Sequence, residues 1–497
     1  MASSLRRVRF RTLAKAPEQP KWMSNFISKT SISASAGTKR GARDAAKSSR
    51  LASVDDRVTK LDQSILEDTS LGPPLFDQLR SAQHELGLLH GDRPTCPFLR
   101  PHILHRHQYE AIKDAAEVIA HALEKVANEA LNNQAIMELL CLTPLEEKMA
   151  RVDPGYAPLC VTSRLDSYIT SAGFCFLEYN AETPAGVGDQ MQLEKLLFAL
   201  PQVRSFLVDN NHWLPRPHEA LLKSLIRAYR NWGGDVETPN IAIVDWRDVP
   251  TYSEFRVLQN YFVECGYPSV IADPADLTYN GDCLYAGDFR IDILYKRVVI
   301  HEFLNQFGQQ HPLARAYKDR RVFMANSFRT KLVHKKASFA VLSDPSYHYL
   351  FEPNELAAIS RHIPWTRLVR HSITNFRGAE RNLLELIREH QQEFVLKPND
   401  DYGGHGVFLG WEMEPDEWET ALGYAVEHPY VVQERVPGEK VDIPTYSDRV
   451  YLSEMFVDFN PFLFHNEVEG ALIRLSASAL LNVTAGGGQT ALLVLED

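Results

Sequence analysis

The chain has 497 residues, too many for one hydrophobic core, so two or three packed units are expected. Its 44% hydrophobic and 24% charged content is ordinary for a globular protein, and no run approaches the roughly 18 apolar residues of a membrane helix. The net charge of -11 conceals a balance of +10 in residues 1–50 and so -21 in the remainder, and an acidic body argues against nucleic acid as the main partner.

Residues 1–50 are rich in Ser, Ala and Arg with little apolar periodicity, and read as a disordered basic tail. A transit peptide, a misplaced start and an interaction arm share that composition. Residues 51–150 form a mostly helical region, because "QYEAIKDAAEVIAHALEKVANEALNN" repeats its apolar residues at i, i+3, i+4 and i+7. Residues 151–235 hold the strand-like "SAGFCFLEYNAETPAG" and then helices. Residues 236–325 read as an α/β unit: the buried strand "PNIAIVDW", the helix "SEFRVLQNYFVECG", the strand "SVIAD", and a hairpin around Asn280-Gly281 leading into another strand. In residues 326–497, "EFVLKPNDDYGGHGVFLGWE" reads as strand, glycine-rich turn, strand. "PYVVQERV" and "YLSEMFVDFNPFLF" follow as strands.

Two stretches carry chemistry. In "SRLDSYITSAGFCFLEYN", Glu178 and Asn180 stand two apart on a strand and so share a face. With Asp166 on a neighbouring strand they offer three oxygen ligands, a set suited to Mg2+ beside a substrate phosphate. Arg164 could meet developing negative charge. The plainer reading is a solvated strand face, but "FCFLEYN" is apolar on both sides, and an unpaired buried carboxylate is costly. At the glycine turn, bare backbone N–H groups could close over phosphates while Lys397 meets their charge. Cys96, His102, His105 and His107 are too loosely spaced for a zinc motif. The six cysteines contain no C-x-x-C pair and point to a reducing, cytoplasmic setting.

Together these motifs resemble the ATP-grasp superfamily, in shifted order. Arg164-x-Asp166 and Glu178-x-Asn180, with Pro184 and Gly186 after them, come first. The α/β unit comes second, and "NSFRTKLVHKK" and Lys397 come third. The order is similar to the synthetase part of glutathionylspermidine synthetase, over residues 80–497. The resemblance implies an α/β (α+β), circularly permuted ATP-grasp fold, with an inserted pre-ATP-grasp α/β domain and a helical N-terminal region. It implies ATP and two Mg2+ ions as cofactors. Lys335 (preferred over Lys336) and Lys397 would contact phosphates, and Gly403, Gly404 and Gly406 would cover them. Gln433 and Glu434 would sit at the adenine, while Asp166, Glu178 and Asn180 would bind the metal. Arg164 would neutralise charge on the transferred group, while Arg474 and Asn482 would lie around the reacting carboxylate, in an arginine and Asn-x-x-x-Gly-Gly turn found in some glutathione synthetases. The implied activity joins a small-molecule or peptide carboxylate to an amine through an acyl phosphate, with neither nucleic acid nor membrane as partner. A phosphotransferase on the same fold and a non-catalytic nucleotide-binding protein are the rivals.

Overall fold

A computed structural model describes residues 55–401, 403–478 and 487–497. The stretch 1–50 and Asn482, both singled out above, lie outside the described residues.

The helical signal of residues 108–150 resolves into three helices, Arg106–Ala130, Gln134–Leu140 and Pro144–Ala150. Caps break the run. The Asn133 side chain accepts from Ala135 N, and Thr143 forms a capping box with Glu146 ahead of Pro144. The long first helix buries Tyr109, Ile112, Ala116, Ile119, Leu123 and Val126, spaced three or four apart, in the largest core.

The α/β unit is a four-stranded parallel sheet in the order Phe323–Ala325, Ile293–Lys296, Ile241–Val244, Ser269–Ala272. Ala242, Val244 and Leu294 face one core, and Ile241, Ile243 and Ile293 face another. Both faces are covered, which is why these strands read as continuous apolar runs. The hairpin at Asn280-Gly281 joins Leu277–Tyr279 to Leu284–Ala286 in a separate three-stranded antiparallel sheet completed by Phe289–Ile291.

Two antiparallel sheets of six and four strands follow, beside smaller two- and three-stranded sheets. The larger runs Gly488–Thr490, Glu467–Ser476, Val450–Phe464, Thr162–Thr170, Gly173–Asn180, with Lys440–Tyr446 also paired to Val450–Phe464. The smaller runs Thr366–Leu368, Tyr430–Glu434, Phe394–Pro398, Phe408–Leu409. Among the described residues, no helix is long and apolar enough to cross a membrane. The six cysteines are free.

Candidate active site

A cleft of about 310 Å³ has walls from both antiparallel sheets. On the larger sheet, Arg164 pairs across the strands with Asn180, and Asp166 with Glu178. A β-bulge between Asp166 and Ser167 leaves Leu177 as the extra residue of the partner strand. That extra residue reverses the alternation. Phe174, Phe176 and Tyr179 enter the core, while Glu178 and Asn180 turn to the cleft.

Asp166 is the hub. Its Oδ1 accepts from Arg164 Nε at 2.7 Å and Asn180 Nδ2 at 2.9 Å. Its Oδ2 accepts from Arg474 Nη2 at 2.7 Å and Arg164 Nη2 at 3.2 Å. Asn180 Nδ2 also reaches Glu178 Oε1 at 3.3 Å. Burial alone would push Glu178 up, but the Lys336 and Lys397 ammonium groups outweigh it and bring its carboxyl down to about 2. Two carboxylates and an amide, gathered this closely, fit a hard divalent cation such as Mg2+. A half-turn of the Asn180 amide would bring its oxygen to the position its nitrogen holds.

Arg474 does not present an open fork. Its Nε and Nη2 donate to Asp458 Oδ2 at 2.8 and 2.6 Å, and its backbone N donates to Asp458 Oδ1 at 3.0 Å. Asn460 Nδ2 holds the other side of Asp458 Oδ1 at 2.7 Å. Sequence reasoning missed this pair. The available signal was Asp458-x-Asn460, with the same two-residue spacing as Glu178-x-Asn180 in an equally apolar strand.

The opposite wall carries the lysines. Lys397, on Phe394–Pro398, donates to Gln433 Oε1 at 2.7 Å, and Gln433 Nε2 in turn donates to Thr366 Oγ1 and Leu177 O. The Gln433 side chain is therefore taken up by Lys397, Thr366 and Leu177. Glu434 borders the cleft, with Oε1 held at 2.7 Å by Arg377. Burial brings Lys397 down to about 8. Gly403, Gly404 and Gly406 all have positive φ, at 71°, 74° and 66°. A Cβ on Gly406 would come within 2.8 Å of Tyr430 Oη, so the turn admits no side chain there.

Of the two adjacent lysines, Lys336 reaches the cleft, where its Nζ lies 3.2 Å from Glu178 Oε2 and donates to Asp401 O at 2.8 Å. Lys335 is turned away to Asp400 Oδ2 at 2.6 Å and Glu146 Oε2 at 3.1 Å. The structure thus brings Lys336 to the cleft, whereas Lys335, the lysine preferred from sequence, lies behind it. The short helix Lys331–His334 ends at Lys335, whose backbone leaves the helical region at ψ 127°, so consecutive side chains diverge.

Glu182, His334 and Asp400 also bring three potential ligand atoms within 4.8 Å of one another. The Lys331 ammonium lies among them, 2.8 Å from Glu182 and 2.6 Å from Asp400, so a cation is already supplied by the chain. Of the cysteine and histidines near residue 100, three have separate partners, and His102 is buried with its Nε2 unbonded. Cys96 Sγ faces Phe98 O, His105 lies 3.0 Å from Asp55, and His107 lies 2.8 Å from Asp497.

The site is held from below by Asn326, at the end of the parallel strand Phe323–Ala325. Its fully buried amide accepts from Val161 N and Thr162 N, and donates to Thr162 O and Ala181 O. It thereby staples together the ends of the two strands that carry Asp166 and Glu178. Arg297 Nη1 donates to Pro184 O, and Glu254 accepts from Gly186 N at 2.9 Å, fixing the following turn to the α/β unit.

No protein-family model matches the chain. A protein named glutamate–cysteine ligase 2-2, from Frankia casuarinae, is 25% identical over 237 residues, 44% of this chain. The match spans only a quarter of that relative's length. Among solved structures, a protein described as a gamma-glutamylcysteine synthetase from Methylobacillus flagellatus KT aligns with TM-score 0.43 at 10% identity, over 79% of this chain and 89% of its own. A glutathione synthetase-like effector from Globodera pallida aligns with TM-score 0.54 at 12% identity, over 88% of this chain and 98% of its own, and it is this likeness that speaks to the fold. The chain shares a mixed α/β fold with that glutathione synthetase-like protein.

Proposed function

We propose that the protein is an ATP- and Mg2+-dependent ligase that joins a carboxylate to an amine, on a circularly permuted ATP-grasp framework akin to the synthetase part of glutathionylspermidine synthetase. The observation that carries this reading is the cross-strand register that sets Asp166 against Glu178 and Arg164 against Asn180, with Lys336 and Lys397 facing them across one cleft. The ligase name of the Frankia relative points the same way.

In this reading Lys336 and Lys397 hold the phosphates, and Gly403, Gly404 and Gly406 close over them with backbone N–H groups. Asp166, Glu178 and Asn180 would hold the metal, which would supply neutralisation of phosphate charge. A substrate carboxylate oxygen attacks the γ-phosphorus, the bond to the bridging oxygen breaks, and ADP leaves. The amine nitrogen then attacks the acyl carbon, expels phosphate and loses a proton. Arg164 lies close enough to the metal ligands to stabilise charge on the transferred group. Arg474, tied to Asp458 and Asp166, acts first on the placement of Asp166 and second on the acid. Asn482 is proposed for the acid only on the family likeness.

Hydroxylamine tests the chemistry. With ATP, Mg2+ and pooled metabolic acids, ADP release should be accompanied by a hydroxamate, because hydroxylamine intercepts an acyl phosphate. A stable phosphorylated product that hydroxylamine leaves untouched would assign the protein to the kinases.

A pH dependence follows from Lys397. Its folded-state value of about 8 is below the ordinary 10.5, so above pH 8 the apo cleft loses this charge. Between those two values the unfolded chain binds more protons, and the Lys397 contribution to stability rises with pH across that window. ATP binding has the opposite slope. Affinity should fall as pH rises through about 8, and calorimetry in buffers of differing ionisation enthalpy should record net proton uptake there. Lys397→Met should abolish the uptake; uptake of the same size in the variant would assign it to another group.

A further inference from the structure

A cluster of buried charge lies directly behind Lys336. Asp400 opens the glycine-rich turn, and both its oxygens are taken by buried lysines: Oδ1 by Lys331 and Oδ2 by Lys335, each at 2.6 Å. The same two segments are laced by backbone. Lys336 N donates to Asn399 O at 2.9 Å, Ala337 N donates to Asn399 Oδ1 at 2.8 Å, and Lys336 Nζ returns to Asp401 O. The residues that begin the turn and the residues that deliver Lys336 are thus joined at consecutive positions.

We propose that Asp400 is a positioning residue, which locks the glycine-rich turn to the segment carrying Lys336 so that turn and lysine are set against the phosphates as one body. The proposal rests on the reading of the cleft as a nucleotide site.

The division of partners within the cluster separates this role from that of an ordinary buried ion pair. Lys331 has a second carboxylate in Glu182, at 2.8 Å, and Lys335 has one in Glu146, at 3.1 Å. Glu146 sits on the helix Pro144–Ala150, and Glu182 also accepts from Ile300 N at 2.7 Å, so both belong to the framework. Asp400 is the member that belongs to the turn. Without its charge each lysine keeps a framework partner, and what is lost is the ionic part of the turn's attachment, leaving the bonds of Asn399 and Asp401 to hold it alone. Burial alone would raise the Asp400 carboxyl, but Lys331 and Lys335 outweigh it and hold it well below the usual carboxylate range. The lock is therefore charged throughout the neutral range.

Asp400→Asn in the full chain tests the proposal. Hydrogen exchange without nucleotide should quicken in residues 331–337 and 399–409 together, while the helix Arg106–Ala130 exchanges at the wild-type rate. ATP affinity should weaken on the order of tenfold, the scale of one misplaced charged contact. The KM for ATP should rise with that of the acid unchanged. Combined with Lys336→Ala, the loss should fall short of the sum, because Asp400 acts through Lys336. Unchanged exchange in either segment, or fully additive losses, would overturn the proposal. Should the variant fail to fold, Lys335→Met, which leaves Asp400 paired with Lys331, carries the same expectation of joint quickening and the same refutation. If the wild-type chain does not bind ATP, the nucleotide reading fails, while the exchange result still decides whether turn and segment move as one.

Discussion

Asp166→Asn and Glu178→Gln should each lower turnover by on the order of a hundredfold or more, about 3 kcal/mol of transition-state stabilisation. The two carboxylates face each other across adjacent strands and share the Asn180 amide between them. They are therefore expected to serve one ion, and the double variant should lose little more than the worse single one. The fold should survive, because each guanidinium keeps a second partner. Arg164 also donates to Ala185 O at 2.8 Å, and Arg474 is held by Asp458. A fully additive loss in steady-state kinetics would mean that the residues work separately. A loss of secondary structure in circular dichroism would mean that Asp166 serves the fold first.

The second large effect is expected at the lysines. Mg-ATP at ~100 times its dissociation constant should stabilise the protein by about 2.7 kcal/mol. In a cooperative unit of ~150–250 residues this corresponds to roughly 2–4 °C in Tm for each kcal/mol. Lys397→Ala and Lys336→Ala should each erase most of the shift, whereas Lys335→Ala should lower the Tm of the apo protein and leave much of the shift in place. The reason is geometric. Lys336 and Lys397 border the cleft, while Lys335 neutralises Asp400 and Glu146 behind it. A shift erased equally by Lys335→Ala and retained in Lys336→Ala would return the phosphate role to Lys335.

Several parts of this arrangement were legible in the chain because they depend on neighbours in sequence. The strand, glycine turn and strand around Lys397 follow from apolar runs bracketing residues that must take positive φ. The parallel unit follows from short, wholly apolar runs separated by a helical period. The pairing of Glu178 with Asn180 on one side of a strand follows from a period of two.

Tertiary structure decided what local spacing cannot encode. Strict alternation would have put Glu178 and Asn180 on the side of Phe174 and Phe176, and only the bulge at Leu177 turns them to the cleft. Bulges are set by the partner strand's register, which is a long-range property. Which of Lys335 and Lys336 faces the cleft depends on where a four-residue helix ends, and there Lys336 N donates to Asn399 O, more than sixty residues away. Asp458 and Asn326 are conspicuous only once the strands have paired. Arg474 then stands opposite Asp458, and the ends of two strands lie within reach of one amide. Sequence by itself determined which elements exist and which side chains carry charge. Burial decided the rest: inside the fold a charge needs a partner, and such partners lie as far as 342 residues away along the chain, as for Arg100 and Asp442 O.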